Sequence, residues 1–139
     1  MFPTVLSRYS RLMLASLVVL FAIVMRAGGP AALGTPDVAQ VSIPEAIALI
    51  DAGALVIDVR ESPKTHLPGA LVIPLEVLDA RLSQLEGAKA RPIVVYCGSG
   101  TSRGPKAAQR LTEAGFTRVA NLQPGIEGWR AAGLPEVKG

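Results

Sequence analysis

The chain has very few of the residues from which cross-links and metal sites are built. Among its 139 residues there is one cysteine, Cys97, and one histidine, His66. A single cysteine cannot form an internal disulfide, and no second cysteine or histidine lies near enough in sequence to suggest a metal site. We therefore predict no bound metal and no cofactor. Cys97 is then either an ordinary buried thiol or a residue with a chemical role.

An excess of charge is also absent from most of the chain. Residues 35–139 contain eleven Lys or Arg and eleven Asp or Glu, so this part is formally neutral. The net charge of +3 comes from Arg8, Arg11 and Arg26 near the N-terminus. A neutral domain gives no support to nucleic-acid binding, and we predict no nucleic-acid partner.

The chain also lacks an apolar run long enough for an ordinary membrane span. Residues 12–25 are fourteen uncharged, mostly apolar residues between Arg11 and Arg26. A spanning helix needs about 20 such residues, whereas the core of a secretory signal needs about 7–15. We predict that residues 1–34 are a cleaved signal peptide or a membrane anchor, followed by a linker. Either alternative exports the domain, to the periplasm or to the periplasmic side of the inner membrane with residues 12–25 as the tether.

The rest of the sequence alternates between helical and strand patterns. Ser42-Ile43-Pro44-Glu45 is a capping box that predicts a helix start. Predicted helices cover residues 44–52, 74–85, 105–114 and 126–132, and predicted strands cover residues 54–60, 70–73, 92–96 and 118–122. This alternation predicts an α/β fold, with a mostly parallel sheet of about five strands and helices on both faces. The reactive crevice of such a sheet lies beyond the carboxyl ends of its strands, and Cys97 follows directly after one of them.

Cys97 is the first residue of the segment that most strongly indicates a catalytic function. The sequence Cys97-Gly98-Ser99-Gly100-Thr101-Ser102-Arg103-Gly104-Pro105 is a glycine-rich loop followed by an arginine and a helix start. Backbone N–H groups, the start of a helix and a guanidinium around one sulfur favour a reactive thiolate that substrates can reach. Glycine also permits close approach of an anion. We predict that Cys97 is a nucleophile and that Arg103 contacts an anion rather than serving only as a surface charge.

Three other positions have a structural and a catalytic interpretation. Asp58 and Arg60 end a predicted strand at the edge of the site, where a structural ion pair is favoured over a supporting catalytic role. His66 stands beside a Pro-Gly turn and is expected to fix that turn rather than to act as a base. Trp129 is predicted to anchor the last helix by packing.

A set of motifs across residues 38–136 resembles the rhodanese family in order and spacing. The motifs are Asp58-Val59-Arg60-Glu61, His66-Leu67-Pro68-Gly69-Ala70, Val95-Tyr96-Cys97, Gly125-Ile126-Glu127-Gly128-Trp129 and Ala132-Gly133-Leu134-Pro135. The resemblance implies a rhodanese-like three-layer sandwich over residues 38–136. It also implies a sulfurtransferase that moves sulfane sulfur from thiosulfate or a persulfide to a thiol or cyanide.

The resemblance also implies roles for the residues of the loop. Cys97 would carry the sulfur as a persulfide, with Arg103 as the basic residue beside it. The backbone of Gly98, Ser99, Gly100, Thr101 and Ser102 would hold a small anionic sulfur donor. An external thiol, from a small molecule or a protein, would accept the sulfur, because the chain has no second cysteine.

The length of the loop leaves a second enzymatic interpretation open. The frame Cys-x5-Arg-Gly-Pro-Lys is similar to that of the cell-cycle dual-specificity phosphatases and arsenate reductases of the same fold. Those phosphatases have histidine before the cysteine, where this chain has Tyr96, and they use a nearby carboxylic acid that this loop lacks. Sulfur transfer is therefore favoured, arsenate reduction or phosphate release is the alternative, and a non-catalytic binding module is the third interpretation.

Overall fold

The computed structural model describes residues 37–139. The signal peptide or anchor predicted for residues 1–34 lies outside the described residues and stays a prediction. Within residues 37–139, no helix combines the length and the apolar character that crossing a membrane requires.

Five parallel strands form the central sheet. They are β1 (Ala39–Val41), β2 (Leu55–Asp58), β4 (Leu71–Val72), β5 (Ile93–Tyr96) and β6 (Val119–Leu122), in the spatial order β1-β6-β5-β2-β4. All residues of β5 and β6 are buried, as expected for central strands that are covered on both faces. The predicted α/β class and parallel sheet are confirmed.

A second, two-stranded sheet lies outside the central one. Its strands β3 (Thr65–His66) and β7 (Val137–Lys138) pair antiparallel, with His66 opposite Val137. Neither strand was predicted, because two residues are too few to show an alternating pattern. Strand β1 was also missed, because no strand was predicted before residue 54.

Within residues 37–139, four α-helices accompany the central sheet. They are α1 (Ile43–Asp51), α2 (Leu78–Arg81), α3 (Arg103–Glu113) and α4 (Gly125–Ala131). The predicted capping box is present at α1, where the Ser42 hydroxyl accepts from the Glu45 N–H at 3.4 Å and the Glu45 carboxylate accepts from the Ser42 N–H at 2.7 Å. Helix α3 begins at Arg103, two residues before the predicted start, because proline is tolerated in a first helical turn.

The prediction of one continuous helix over residues 74–85 is wrong. A 3₁₀ turn (Leu75–Val77), the short helix α2 and a second 3₁₀ segment (Leu82–Ala88) follow one another. Leu75, Leu78, Leu85 and Ala88 are all buried. Most of their spacings are three residues, and side chains three apart align along a 3₁₀ helix, so this geometry keeps them in the core.

Candidate active site

Cys97 lies directly after the central strand β5, at the carboxyl edge of the sheet. Its Sγ atom accepts a hydrogen bond from the Gly100 N–H at 3.3 Å. The residue is only 2% exposed. The expected N–H donor to the sulfur is therefore present, but the expected open access is not.

Gly100 gives the loop the turn that returns its N–H to the sulfur. Its φ of +79° lies in the left-handed region, and a Cβ at this position would lie 2.5 Å from the Leu122 carbonyl oxygen. Any other residue would therefore have a strained backbone conformation here, and its side chain would collide with β6. This geometry fits a turn-forming role for the glycine.

Asn121 on β6 is a site residue that sequence reasoning missed. It is fully buried, and its Nδ2 donates to the Gly100 carbonyl at 2.8 Å and to Gln40 Oε1 at 2.6 Å. Among the described residues, its Oδ1 has no hydrogen-bond partner. Asn121 is the one polar residue of β6, whose other residues are apolar and buried. This pattern was the signal available for finding it.

Gly104 brings the first turn of α3 against this asparagine and the sulfur. A Cβ on Gly104 would overlap Asn121 Oδ1 and would lie 3.5 Å from Cys97 Sγ. Only a residue without a side chain fits here. The sequence places this glycine directly after Arg103, but the contact with Asn121 depends on how α3 meets β6.

The start of α4 holds the backbone of the loop from the other side. The N–H groups of Ile126 and Glu127 donate to the carbonyls of Cys97 and Gly98, each at 3.0 Å. Gly125 has a φ of +70°, and a Cβ on it would overlap the Gly98 carbonyl oxygen. Helix α4 therefore fixes the cysteine and the residue after it at the same time.

The Arg103 guanidinium forms an ion pair in the structure, and its predicted contact with an anion stays a prediction. Its Nη2 lies 3.0 Å from Glu76 Oε1, and its side chain is 38% exposed. Glu76 belongs to the 3₁₀ turn after β4, far from the loop in sequence. Arg103 therefore starts α3 beside the loop, while its guanidinium is bound to a carboxylate.

The hydroxyl residues of the loop also bind one another or face solvent. Ser99 Oγ and Thr101 Oγ1 are 2.8 Å apart and share a hydrogen bond. Ser102 precedes α3, and its side chain makes no capping hydrogen bond. Thr101 and Ser102 are exposed. Anion binding by these residues stays a prediction.

The predicted ion pair between Asp58 and Arg60 is present and is joined by Tyr96. Arg60 Nη2 lies 2.7 Å from Asp58 Oδ2, and the Tyr96 hydroxyl donates to the same oxygen at 2.9 Å. That hydroxyl also accepts from the Leu67 N–H at 2.9 Å. The hydrogen bond to Asp58 raises the pKa of Arg60, and burial raises the pKa of the Tyr96 phenol. This network fixes the residue before Cys97 to the neighbouring strand β2.

His66 and Trp129 take structural positions. His66 Nδ1 donates to the Leu67 carbonyl at 2.8 Å, next to the Pro-Gly turn, so Nδ1 carries the proton. Trp129 is buried, and its Nε1 donates to the Pro135 carbonyl at 2.8 Å. Within residues 37–139, no group of three or more His, Cys, Asp or Glu side chains is placed to hold a metal ion.

Comparison with known proteins gives consistent similarities. The Rhodanese-like domain family matches residues 42–132. The Uncharacterized protein YibN of Escherichia coli K12 is 36% identical over 90 residues, which cover 62% of this chain and 62% of that protein. The chain thus spans about three fifths of the length of this relative. A protein named Sulfurtransferase from Allochromatium vinosum is 37% identical over 86 residues, which cover 60% of this chain and 78% of that protein.

Solved structures show the same relationship. The crystal structure of the Rhodanese_3-like domain of the Alr3790 protein from Anabaena sp. has a TM-score of 0.55 and 35% identity, covering 61% of this chain and 99% of that one. The described residues form a parallel sheet flanked by helices, with a cysteine-containing loop at the carboxyl edge of the sheet, and this architecture is that of an α/β protein. Together with the family match over residues 42–132, it places the chain in the rhodanese-like family.

Proposed function

We propose that this protein is a sulfurtransferase that carries sulfane sulfur as a persulfide on Cys97. The donor is thiosulfate or another persulfide, and the acceptor is a thiol or cyanide. The observation that carries the proposal is the hydrogen bond from the Gly100 N–H to Cys97 Sγ, formed at the carboxyl edge of the sheet in a rhodanese-like domain. An N–H directed at sulfur stabilises the thiolate that attacks and the persulfide anion that follows.

The transfer has two balanced steps. The Cys97 thiolate attacks the outer sulfur of thiosulfate, a sulfur–sulfur bond forms to Cys97, and the bond to the sulfite sulfur breaks with its electron pair leaving on sulfite. Cyanide or an external thiolate then attacks the terminal persulfide sulfur. Thiocyanate or an acceptor persulfide is released, and the Cys97 thiolate is restored. The acceptor thiol is external, because Cys97 is the only cysteine of the chain.

The enclosure of Cys97 has two consequences for this chemistry. A persulfide held at a residue that is 2% exposed is shielded from oxidants and from other thiols. Loading and unloading then take place at the solvent side of the loop of residues 98–102, where Thr101 and Ser102 are exposed. An inert core thiol would have the same burial, so reactivity in the native state separates the two interpretations.

A side-by-side assay tests the proposed function. Full-length protein is assayed with thiosulfate and cyanide, with arsenate and a thiol, and with an aryl phosphate. We expect thiocyanate formation that Cys97→Ser abolishes. Faster arsenate-dependent thiol oxidation or phosphate release would instead support the oxyanion enzymes suggested by the Cys-x5-Arg frame. Silence in all three assays would support a binding module.

The anion role of Arg103 is tested in the same assay. Arg103→Ala is expected to raise the KM for thiosulfate, because its guanidinium adds positive charge next to the loop. Arg91→Ala is the matched control, since Arg91 lies before the amino end of β5 and donates to the Gly53 carbonyl. An unchanged KM in Arg103→Ala would leave Arg103 only its structural pair with Glu76.

We also propose that the reaction takes place outside the inner membrane, on the basis of the leader or anchor predicted for residues 1–34. The intact mass of protein purified from its own membrane and periplasmic fractions tests this. Loss of the N-terminal segment identifies a signal peptide, and its retention in the membrane fraction identifies an anchor. Full-length protein in the cytosolic fraction would contradict both.

A further inference from the structure

The carboxylate of Glu127 lies close to the position that a side chain on the residue after the cysteine would take. Gly98 follows Cys97 and has no side chain, and a Cβ built on it would lie 3.3 Å from Glu127 Oε1. The Glu127 N–H donates to the Gly98 carbonyl at 3.0 Å. The backbone of Glu127 is therefore fixed against the loop, and its charge lies beside the residue that adjoins the sulfur.

The cations nearest to this carboxylate in the chain form ion pairs with other carboxylates, although Arg130 also attracts Glu127 through space. Arg103 is bound to Glu76 at 3.0 Å, and Arg130, one turn further along α4, is bound to Glu136 at 2.8 Å. Among the residues that the structure describes, Glu127 itself forms no ion pair. Lys106 is exposed one turn into α3 and is the remaining cation of that helix start. The Glu127 carboxylate therefore adds a negative charge beside Gly98.

We infer that Glu127 is a specificity-determining residue that disfavours anionic sulfur donors. This inference rests on the proposed sulfur transfer and narrows its donor class. Coulomb repulsion between this carboxylate and a donor grows with the negative charge of the donor. A dianion such as thiosulfate is then a poorer donor than a zwitterionic or cationic compound that presents the same sulfane sulfur.

Three donors that react through the same type of sulfur–sulfur bond allow the effect of donor charge to be measured separately from the reaction itself. Thiosulfate is a dianion, the methanethiosulfonate anion carries one charge, and thiotaurine is a zwitterion with an ammonium group. In each case the Cys97 thiolate takes the outer sulfur, the sulfur–sulfur bond of the donor breaks, and the electron pair leaves on sulfite or on a sulfinate. The negative charge of the donor falls from thiosulfate through methanethiosulfonate to thiotaurine.

The experiment compares kcat/KM for the three donors in wild type and in Glu127→Gln. A carboxylate at roughly 6–10 Å in a solvated site changes an equilibrium by about two- to threefold per unit of donor charge. We therefore expect Glu127→Gln to raise kcat/KM about fivefold for thiosulfate and about twofold for methanethiosulfonate, and to leave thiotaurine unchanged. Added salt should reduce the difference between the donors, because it screens exposed charges.

Glu113→Gln is the matched control, because it removes the same charge at the far end of α3, where Glu113 accepts from Gln109. It is expected to leave all three values unchanged. An equal change for the three donors in Glu127→Gln, or no change at all, overturns the inference while leaving sulfur transfer intact. If wild type transfers sulfur from none of the donors, or Cys97→Ser transfers as well as wild type, the proposed function fails and the inference fails with it.

Discussion

The side-chain amide of Asn121 donates a hydrogen bond to the carbonyl of Gly100 at 2.8 Å. The N–H of the same glycine donates to Cys97 Sγ at 3.3 Å. A buried residue of β6 therefore fixes the residue whose N–H meets the sulfur. Asn121 does not touch a reacting atom, so we assign it a positioning role.

Replacing Asn121 tests this positioning role. Asn121→Val removes the donor and leaves the Gly100 carbonyl without it, which is expected to lower the free energy of unfolding by about 1–3 kcal/mol. It should also slow persulfide formation on Cys97. Gln40→Ala is the control, because it removes the other partner of Asn121 Nδ2 without touching the loop. Equal persulfide formation rates in the two variants would remove the positioning role.

Removing the Tyr96 hydroxyl tests the network behind the cysteine. Tyr96→Phe leaves the buried Leu67 N–H without its acceptor and Asp58 Oδ2 without one donor. We expect a loss of about 1–3 kcal/mol in denaturant unfolding. Thr117→Val removes an exposed hydroxyl that is 3.3 Å from the Lys89 carbonyl and should change stability by no more than about 0.5 kcal/mol. If both variants unfold at the same denaturant concentration, the Tyr96 hydroxyl does not stabilise the fold.

A methyl group at Gly104 should be poorly tolerated. In Gly104→Ala the added methyl overlaps Asn121 Oδ1, so either α3 or β6 must shift, at a cost of about 1–3 kcal/mol. In Gly87→Ala the added methyl meets nothing within 4 Å, and stability should be unchanged or slightly higher. Thermal unfolding of the two variants measures the difference. Equal melting temperatures would show that the contact at Gly104 relaxes freely.

The ion pair between Glu136 and Arg130, next to the β3–β7 sheet, should be lost in acid. Glu136 accepts hydrogen bonds from Arg130 and Thr65, and these lower the pKa of its carboxyl from 4.5 to about 2. Because the pKa is lower in the folded state, the ionised carboxyl stabilises the fold above about pH 4.5, and this contribution is lost as the pH falls to about 2.

Acid unfolding of two variants measures this contribution. The stability difference between wild type and Glu136→Gln should be constant above pH 4.5 and shrink as the pH falls towards about 2. Thr65→Val, which removes one donor, should show a smaller difference over the same range. A difference that does not depend on pH would contradict the assignment.

Local patterns in the sequence were sufficient for most of the fold. Apolar runs predicted β2 and β5, the alternation of helical and strand patterns predicted β6, and the capping box at Ser42 predicted the start of α1. The position of Cys97 at the end of β5 followed from the same pattern, because a strand that ends at a glycine-rich loop has a defined edge. The Asp58–Arg60 pair was also predictable, since its members are two residues apart.

Contacts between distant parts of the chain were not predictable in this way. The sequence does not show that Glu76 binds Arg103, that Asn121 holds Gly100, or that Glu127 lies against Gly98. Each contact depends on how a helix or turn packs against the edge of the sheet. The enclosure of Cys97 has the same origin, because burial is a property of the assembled loop and helices.

The most direct test of the account is the mass of the native protein after exposure to a sulfane donor. The full chain is incubated with thiosulfate or thiotaurine, freed of small molecules, and analysed intact and as peptides. We predict a gain of one sulfur atom on the peptide that contains Cys97, which cyanide removes as thiocyanate. An unchanged mass, with Cys97 open to alkylation only after unfolding, would show that this cysteine is an inert core thiol.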